Sequence, residues 1–262
     1  MTNELKKAIK FLKELHKKIQ KHNKSYKKYT KYKTKKDFQI DPVTKFDLNT
    51  ELLIRNEINK NFKGHNIVGE EFEEQNKNSK FTWYLDPIDG TKSLIMGLPN
   101  WSNLIGLYYE DRCILSYANF PILNKFYIAY NSKAYVVNKN IKKIINCNKL
   151  AKIRNMKLTI NTLHSIRERE IYNYLKQYKG FFKVTGVDAL NFCSIAEGKF
   201  DVLIESGLKK IDIFPIRMIV ENSGAILTDW KGEVKFEKGR VLVAPNKKIH
   251  NYYLKILKKL YV

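Results

Sequence analysis

The segment of this sequence best suited to chemistry is Asp86-Pro87-Ile88-Asp89-Gly90-Thr91. Pro87 fixes φ and has no N–H to donate, so the run WYLD is expected to end as a strand at Asp86, and Gly90 supplies the freedom for a sharp turn. Asp86 and Asp89 can then converge on one point with the Ile88 carbonyl between them, which is a hard-oxygen set for a divalent cation. Beyond them, the Gly90 and Thr91 amides open a short helix, where unpaired donors and the helix dipole favour an anion. Cation and phosphate sites thus fall within six residues. Alone, the hexapeptide is also compatible with an ordinary Asx-Pro turn.

Three further segments carry acids with the same ambiguity: DPVTKFD at 41–47, GEE at 69–71 and KKID at 209–212. Asp47 can cap the helix expected to follow it, and Asp212 can do the same for a later one. Glu70 and Glu71 end a strand-like run, so one can face a metal while the other orients it from behind, or both can form an acidic surface step. Order and spacing together are more specific than any one piece.

In that order the segments resemble the lithium-sensitive, Mg²⁺-dependent phosphomonoesterases of the inositol monophosphatase superfamily, over nearly the whole chain. Within it, DPIDGTKSLIMGLPNWSNLIGL, with G-L-P-x-W, and ESGLKKID followed by a later T-D-W look most like the histidinol-phosphate phosphatase branch. The resemblance implies a layered αβαβα sandwich of two sheets interleaved with helices, and a homodimer. It implies that Glu70, Asp86 and the Ile88 carbonyl hold one Mg²⁺ and that Asp86, Asp89 and Asp212 hold a second, with a looser third near the attacking water and Li⁺ as an inhibitor. Asp47 and Thr91 would position and deprotonate that water, and Glu71 would act from behind the ligands. Phosphate would rest on the Gly90 and Thr91 amides, with Glu205 and, less directly, Asp188 contacting the alcohol portion. The family usually has an aromatic before the last Asp and small residues after it. Here Ile211 precedes Asp212 while Phe214 and Pro215 follow, so the pocket is expected to be reshaped more than the catalysis.

This chemistry explains the residue types. Enhancements up to about 10²¹ are asked of phosphomonoesterases, while one general acid or base supplies only about 10²–10⁴. Paired metal ions offset charge on both entering and leaving oxygens, and carboxylates are the ligands such ions need.

Hydrophobic periodicity indicates what positions these groups. Leu5, Ile9, Leu12, Leu15 and Ile19 recur at helical spacing after Thr2 and Asn3, and a second helix is expected over 48–62. From about Asn66, sequential β-like runs follow: HNIVGEE, TWYLDPIDG, NLIGLYYE, CILSYANFPI, KFYIAY, KAYVVN and KKIINC. The second half alternates, with strands at 157–161, FFKVTG, DVLIES, AILTDW and VLVAP, and helices over 165–178, 189–197, 213–222 and the closing HNYYLKILKKL. The class is mixed α and β in layers. The expected division is an N-terminal half, 1–145, carrying most metal ligands, and a C-terminal half, 146–262, completing the site within one compact unit.

Composition sets the outer bounds. The 262 residues include 49 Lys and Arg against 26 Asp and Glu, a net +23, with 44% hydrophobic residues, which excludes a disordered basic tail. Cys113, Cys147 and Cys193 are odd in number and far apart, so neither a disulfide framework nor a zinc site is signalled, and the five histidines show no ligand spacing. No apolar run spans a bilayer or resembles an export signal, so a soluble cytoplasmic protein without a membrane partner is expected. Residues 1–36 hold fourteen Lys and two Glu, whereas 37–95 hold eleven acids against seven Lys and Arg. The acidic island is where the metal chemistry lies. A rival reading is a nucleic-acid-binding protein, because Tyr26, Tyr29 and Tyr32 interleave with lysines. Against it, only seven of the 49 cations are Arg, the residue suited to planar recognition of bases and phosphates. The leading expectation is hydrolysis of L-histidinol phosphate, with inositol monophosphate as the alternative.

Overall fold

A computed structural model describes residues 2–29, 32–34, 42–163, 166 and 168–261. The Asp41 that opens DPVTKFD and the first residue of the helix expected over 165–178 lie outside them, as do the side chains of Tyr29 and Tyr32.

The N-terminal periodicity produces α1 (Thr2–Asn23), whose Leu5, Ala8, Leu12, Leu15 and Ile19 are buried. After two short paired strands, β1 (Tyr32–Thr34) and β2 (Pro42–Thr44), comes α2 (Lys45–Asn61). It begins three residues before the expected start because Thr44 is its N-cap: the Thr44 hydroxyl accepts the Phe46 N–H at 3.0 Å, and Asp47 reaches back to the Thr44 N–H at 3.1 Å. Asp47 is therefore the third helical residue of a capping box.

A seven-stranded sheet follows in sequential order: β3 (Asn66–Gly69), β4 (Phe81–Asp89), β5 (Ser102–Tyr109), β6 (Arg112–Phe120), β7 (Lys125–Tyr130), β8 (Lys133–Asn138) and β9 (Ile141–Ile144). Only β3 and β4 pair in parallel. The expectation that Pro87 ends its strand is corrected. β4 continues to Asp89, which pairs with Ser102, and the register shifts between Asp86 and Asp89. Pro87 is accommodated because the irregularity asks no ladder N–H of it, and its carbonyl instead accepts the Asn103 side-chain amide at 2.8 Å. The short helix α3 (Thr91–Ile95) follows immediately.

The second half adds β10 (Lys157–Ile160), α4 (Arg169–Lys176), β11 (Phe181–Val184), α5 (Asp188–Ala196), β12 (Val202–Glu205), α6 (Lys210–Ile213), α7 (Arg217–Asn222), β13 (Ile226–Thr228), β14 (Val241–Ala244) and α8 (Lys247–Tyr261). Its five strands are ordered β11-β10-β12-β14-β13. The single helix expected over 213–222 is instead two, because Pro215 has no N–H with which to continue α6 into α7.

Three apolar interfaces set the layering. Leu12, Leu15, Ile54 and Ile58 of α1 and α2 cover Trp83, Leu85, Ile105 and Leu115 on one face of the seven-stranded sheet. Phe192, Ile195, Ile219 and Val220 of α5 and α7 fill the space between Ala118 and Tyr127 of that sheet and Leu203 and Val243 of the other. Ile171, Leu175, Tyr253 and Leu257 of α4 and α8 close the far face. The order is the αβαβα sandwich. All three cysteines are free and buried, and among the described residues no helix is long and apolar enough to cross a membrane.

Gly106 of β5 lies hard against the chain that joins α6 to α7, since a Cβ there would lie 2.7 Å from Cα of Pro215. Replacing Gly106 by Ala is expected to cost about 1–3 kcal/mol of stability by overpacking, read as a lower urea midpoint at unchanged slope.

Candidate active site

The acids singled out in the sequence come together where the tip of β4, the starts of α2, α5 and α6, and the turn after β3 meet. Asp47 is 1% exposed. One of its oxygens is held by the Thr44 N–H and hydroxyl, and the other accepts the Thr91 hydroxyl at 2.9 Å. That hydroxyl also lies 3.0 Å from the Ile88 carbonyl. Burial raises the Asp47 pKa, against the hydrogen bonds from Thr44 and Thr91.

Asp86 and Asp89 flank the irregularity in β4. Oδ2 of Asp89 accepts the Ala189 N–H at 2.9 Å and the Ser102 hydroxyl at 3.1 Å, and its Oδ1 accepts the Asp188 N–H at 3.3 Å. Even so, burial raises its pKa to about 6. Asp86 is buried with no hydrogen-bond partner on Oδ1 among the described residues. Its pKa is raised strongly, first by burial and then by the charges of Glu70, Asp89, Asp212 and Asp47. Asp212, third residue of α6, accepts the Lys209 N–H at 2.6 Å, and burial, then the Glu70 charge, raises it to about 7. Glu70, just past β3, receives the Lys209 ammonium at 2.8 Å.

Gly90 adopts φ +86°, the left-handed region, directly before α3. A Cβ there would also approach Val187 Cγ2 to 2.8 Å. Beneath this turn, Ile88 and Leu94 pack with Phe46 and Trp101, the Trp of G-L-P-x-W. Tyr26 is part of this floor, its ring 5.5 Å from that of Trp101.

Two more acids adjoin the cluster. Asp188 opens α5, and its Oδ2 accepts the Asn161 side-chain amide at 2.6 Å. The Asn161 backbone N–H is bonded to the fully buried Glu205. Burial and then the Glu205 charge raise the Asp188 pKa strongly. Phe214, expected to reshape the pocket, packs on the sheet: its ring lies 4.9 Å from that of Tyr84 and 5.1 Å from that of Tyr108. A cavity of about 580 Å³ bordering α6, lined by Glu168, Lys210, Phe214, Lys238 and Arg240 among others, contains none of the clustered acids.

Sequence reasoning missed Asn161, the pair of Glu51 and Arg55, and a chain of buried amides. In that chain, Asn23 and Asn119 donate to Asn103 at 2.9 and 2.8 Å, and Asn103 donates to the Pro87 carbonyl. One signal was available: Glu51 and Arg55 repeat the Asp47 position at helical spacing, which puts charge on the helix face that also carries Ile54 and Ile58.

The donor set is carboxylate and carbonyl oxygen, without thiolate or imidazole, which suits Mg²⁺. The unpartnered Asp86 oxygen and the raised pKa values fit a place where a cation offsets clustered negative charge. Among the described residues no three such side chains stand close enough as they lie to ligate one ion. Lys209 bonds both Glu70 and Asp212, its ammonium to one oxygen of the former and its N–H to one oxygen of the latter.

The inositol monophosphatase family model matches residues 2–261. The chain belongs to that family. It is accordingly a metal-dependent phosphomonoesterase, of a family generally dependent on Mg²⁺. It is 31% identical over 255 residues to a fructose-1,6-bisphosphatase/inositol-1-monophosphatase of Aquifex aeolicus, covering 95% of this chain and 90% of that one. It is 32% identical over 194 residues to the chloroplastic bifunctional phosphatase IMPL2 of Arabidopsis thaliana, covering 73% of this chain but 56% of that one. A histidinol-phosphatase of Chlorobaculum parvum is 27% identical, over 78% of this chain and 79% of that one. In fold, the IMPase of Thermotoga maritima superposes with a TM-score of 0.83 at 24% identity, covering 97% and 98% of the two chains. The phosphatase family does not favour the nucleic-acid alternative.

A carboxyl whose pKa is raised by folding binds its proton more tightly in the native state, so native stability falls as pH rises from the unfolded pKa to the native one. For Asp212 that interval runs from the ordinary 3.8 to about 7. Asp212→Asn is therefore expected to melt higher than the wild type at neutral pH in a metal chelator, the gap closing near pH 4, as read by calorimetry.

Proposed function

We propose that the family chemistry in this chain acts on the phosphomonoester of a small alcohol bearing a cationic group, with L-histidinol phosphate as the substrate and inositol 1-phosphate as the alternative. The observation that carries the choice is the pair of buried acids beside the phosphatase cluster. Asp188 and Glu205 are joined through Asn161, and the Asp188 N–H bonds Asp89. Oδ1 of Asp188 is buried with no hydrogen-bond partner among the described residues. Two carboxylates there favour an ammonium or imidazolium and oppose a second phosphate. Hydroxyls can also donate to them, which keeps the inositol ester as the alternative. The run ESGLKKID and the floor built on Trp101 support the same branch.

In this reading Glu70, Asp86 and the Ile88 carbonyl would hold one Mg²⁺, and Asp86, Asp89 and Asp212 another. Bound there, such ions would offset the charge of the phosphate oxygens and ease deprotonation of water at neutral pH. The protein's own part is orientation and proton transfer. A hydroxyl has one proton, so while Thr91 donates to Asp47 its lone pairs can only accept, and a water donating to Thr91 is aimed by that bond. The raised pKa of Asp47 makes it a more effective acceptor for the proton passed through Thr91. The Gly90 and Thr91 amides support the phosphate, and Glu71 steadies the ligand turn from behind.

Phosphate release from histidinol phosphate, inositol 1-phosphate and fructose 1,6-bisphosphate, each with and without Mg²⁺, tests the reading. Histidinol phosphate should give the highest kcat/KM, and a clear preference for either other ester refutes the choice. Asp86→Asn and Asp89→Asn should each lower Mg²⁺-dependent turnover by more than about 100-fold, beyond the usual cost of losing a residue behind a ligand. Undiminished turnover refutes the ligand assignment. Asp188→Asn should raise KM for histidinol phosphate about 10- to 100-fold, the equivalent of one charge-assisted hydrogen bond, with little change in kcat.

A further inference from the structure

Helix α2 carries a second charged feature, one turn beyond Asp47, to which no role has been assigned. Glu51 is fully buried, and its Oε1 receives the Nε of Arg55, itself 7% exposed, at 2.7 Å. Taking such a pair out of water is costly, and it persists only where further hydrogen bonds satisfy both partners. Here those bonds go to a single place. Oε2 of Glu51 accepts the Glu71 N–H at 2.8 Å, and Nη2 of Arg55 donates to the Phe72 carbonyl at 3.1 Å. The Arg55 guanidinium also lies 5.8 Å from the centre of the Phe72 ring. On the near side of the turn, a Cβ on Gly69 would overlap the Glu51 carboxylate, so a glycine is what lets the pair approach the backbone.

Glu70 lies between these anchors, with the Gly69 backbone against Glu51 on one side and the Glu71 amide bonded to it on the other. Its side chain, 23% exposed, points toward Lys209 and the Asp212 region. The turn follows the short strand β3 at the edge of the sheet, and the chain returns to that strand at Gln75, which exchanges both backbone hydrogen bonds with Ile67, so residues 70–74 between these pairings take no part in the ladder. We infer that the buried pair of Glu51 and Arg55 is a positioning device, which holds the 69–72 turn so that Glu70 is presented to the metal-binding carboxylates. This rests on the assignment of Glu70 as a Mg²⁺ ligand. Because Asp47 and Glu51 share consecutive turns of α2, the same helix fixes both the proton-accepting side of the site and one of its ligands.

Three variants loosen the device differently. Arg55 and the Glu71 N–H meet different oxygens of Glu51, so Gln at position 51 turns an NH₂ donor toward one of these two donors. Lys at position 55 keeps a cation beside Glu51 but loses the forked reach to Phe72. Ala at position 69 displaces the Glu51 carboxylate and leaves both charges in place. The full chain and the variants Glu51→Gln, Arg55→Lys and Gly69→Ala are stripped of metal and titrated with Mg²⁺ by calorimetry. The Mg²⁺ dependence of phosphate release is followed in parallel, and circular dichroism records the native fold.

Folded variants are expected to bind Mg²⁺ about 10- to 100-fold more weakly, with kcat restored at saturating Mg²⁺. Variants that keep the native spectrum and the wild-type Mg²⁺ titration overturn the inference. So does a fall in kcat that saturating Mg²⁺ does not restore while affinity is unchanged, because that is the signature of a merely structural role. If Glu51→Gln fails to fold, the milder Arg55→Lys and Gly69→Ala decide between the same outcomes. A wild-type chain that neither takes up Mg²⁺ nor releases phosphate overturns the underlying ligand assignment, whereas one that does both beside unaffected variants overturns only the positioning role.

Discussion

The constraint on which the rest of this structure depends is the burial of a cluster of carboxylates, with their mutual repulsion added to it. Asp47, Asp86, Asp89, Asp188 and Asp212 all have raised pKa values, and burial is the first cause for each. Negative groups so placed separate or protonate unless the backbone holds them. Each is held by the start of an element or by an irregularity. Asp47 and Asp212 reach back to the N–H groups of Thr44 and Lys209. Asp89 is bound by two amides at the start of α5, and Asp188 is that helix's first residue. Asp86 sits at the shift in β4. Helix starts recur because they offer unpaired N–H groups and a favourable dipole where a carboxylate has neither water nor a counter-ion.

That constraint explains what was legible in the sequence. Asp47, Glu70, Asp86, Asp89 and Asp212 were readable because they fall in short contiguous motifs, DPVTKFD, GEE, DPIDGT and KKID, whose local geometry is set by neighbouring residues. The helices and most strands were readable from periodicity, and α1 buries four of its five expected positions, with Ile9 half-buried and Phe11 added. Two departures from expectation involve proline. Pro87 was expected to end β4, but an irregularity absorbed it; one helix was expected over 213–222, yet Pro215 divides α6 from α7. For Pro87 the group that meets its carbonyl, Asn103, is distant in sequence, whereas the break at Pro215 follows from the N–H that proline lacks.

The supports behind the cluster were not legible for the same reason. Asn23, Asn103 and Asn119 form a buried amide chain ending on the Pro87 carbonyl, drawn from one helix and two strands. Asn161 joins Asp188 to Glu205 across gaps of 27 and 44 residues. An asparagine or glutamate of this kind has no spacing that distinguishes it from a surface residue until the chain is folded. Glu51 is the partial exception, because a helical repeat that includes acids at its apolar positions is a local contradiction, and such contradictions mark sites where another requirement outweighs packing.

The excess positive charge and the acidic site act over different distances. Many of the lysines in the first 36 residues lie on the exposed face of α1, with the helix's apolar side against the seven-stranded sheet. At physiological ionic strength fields between exposed charges fade within about 8 Å, so this coat can raise the encounter rate of an anionic ester but cannot distinguish one ester from another. Discrimination has to come from groups screened by burial and in contact with the ligand, where the Asp188 and Glu205 carboxylates stand beside the phosphatase cluster. On the proposed reading, a surface that attracts the phosphate end and a buried pair of acids suited to a positive end would be complementary demands on one substrate. The two opposite signs of charge in this chain are consistent with a ligand that itself carries both.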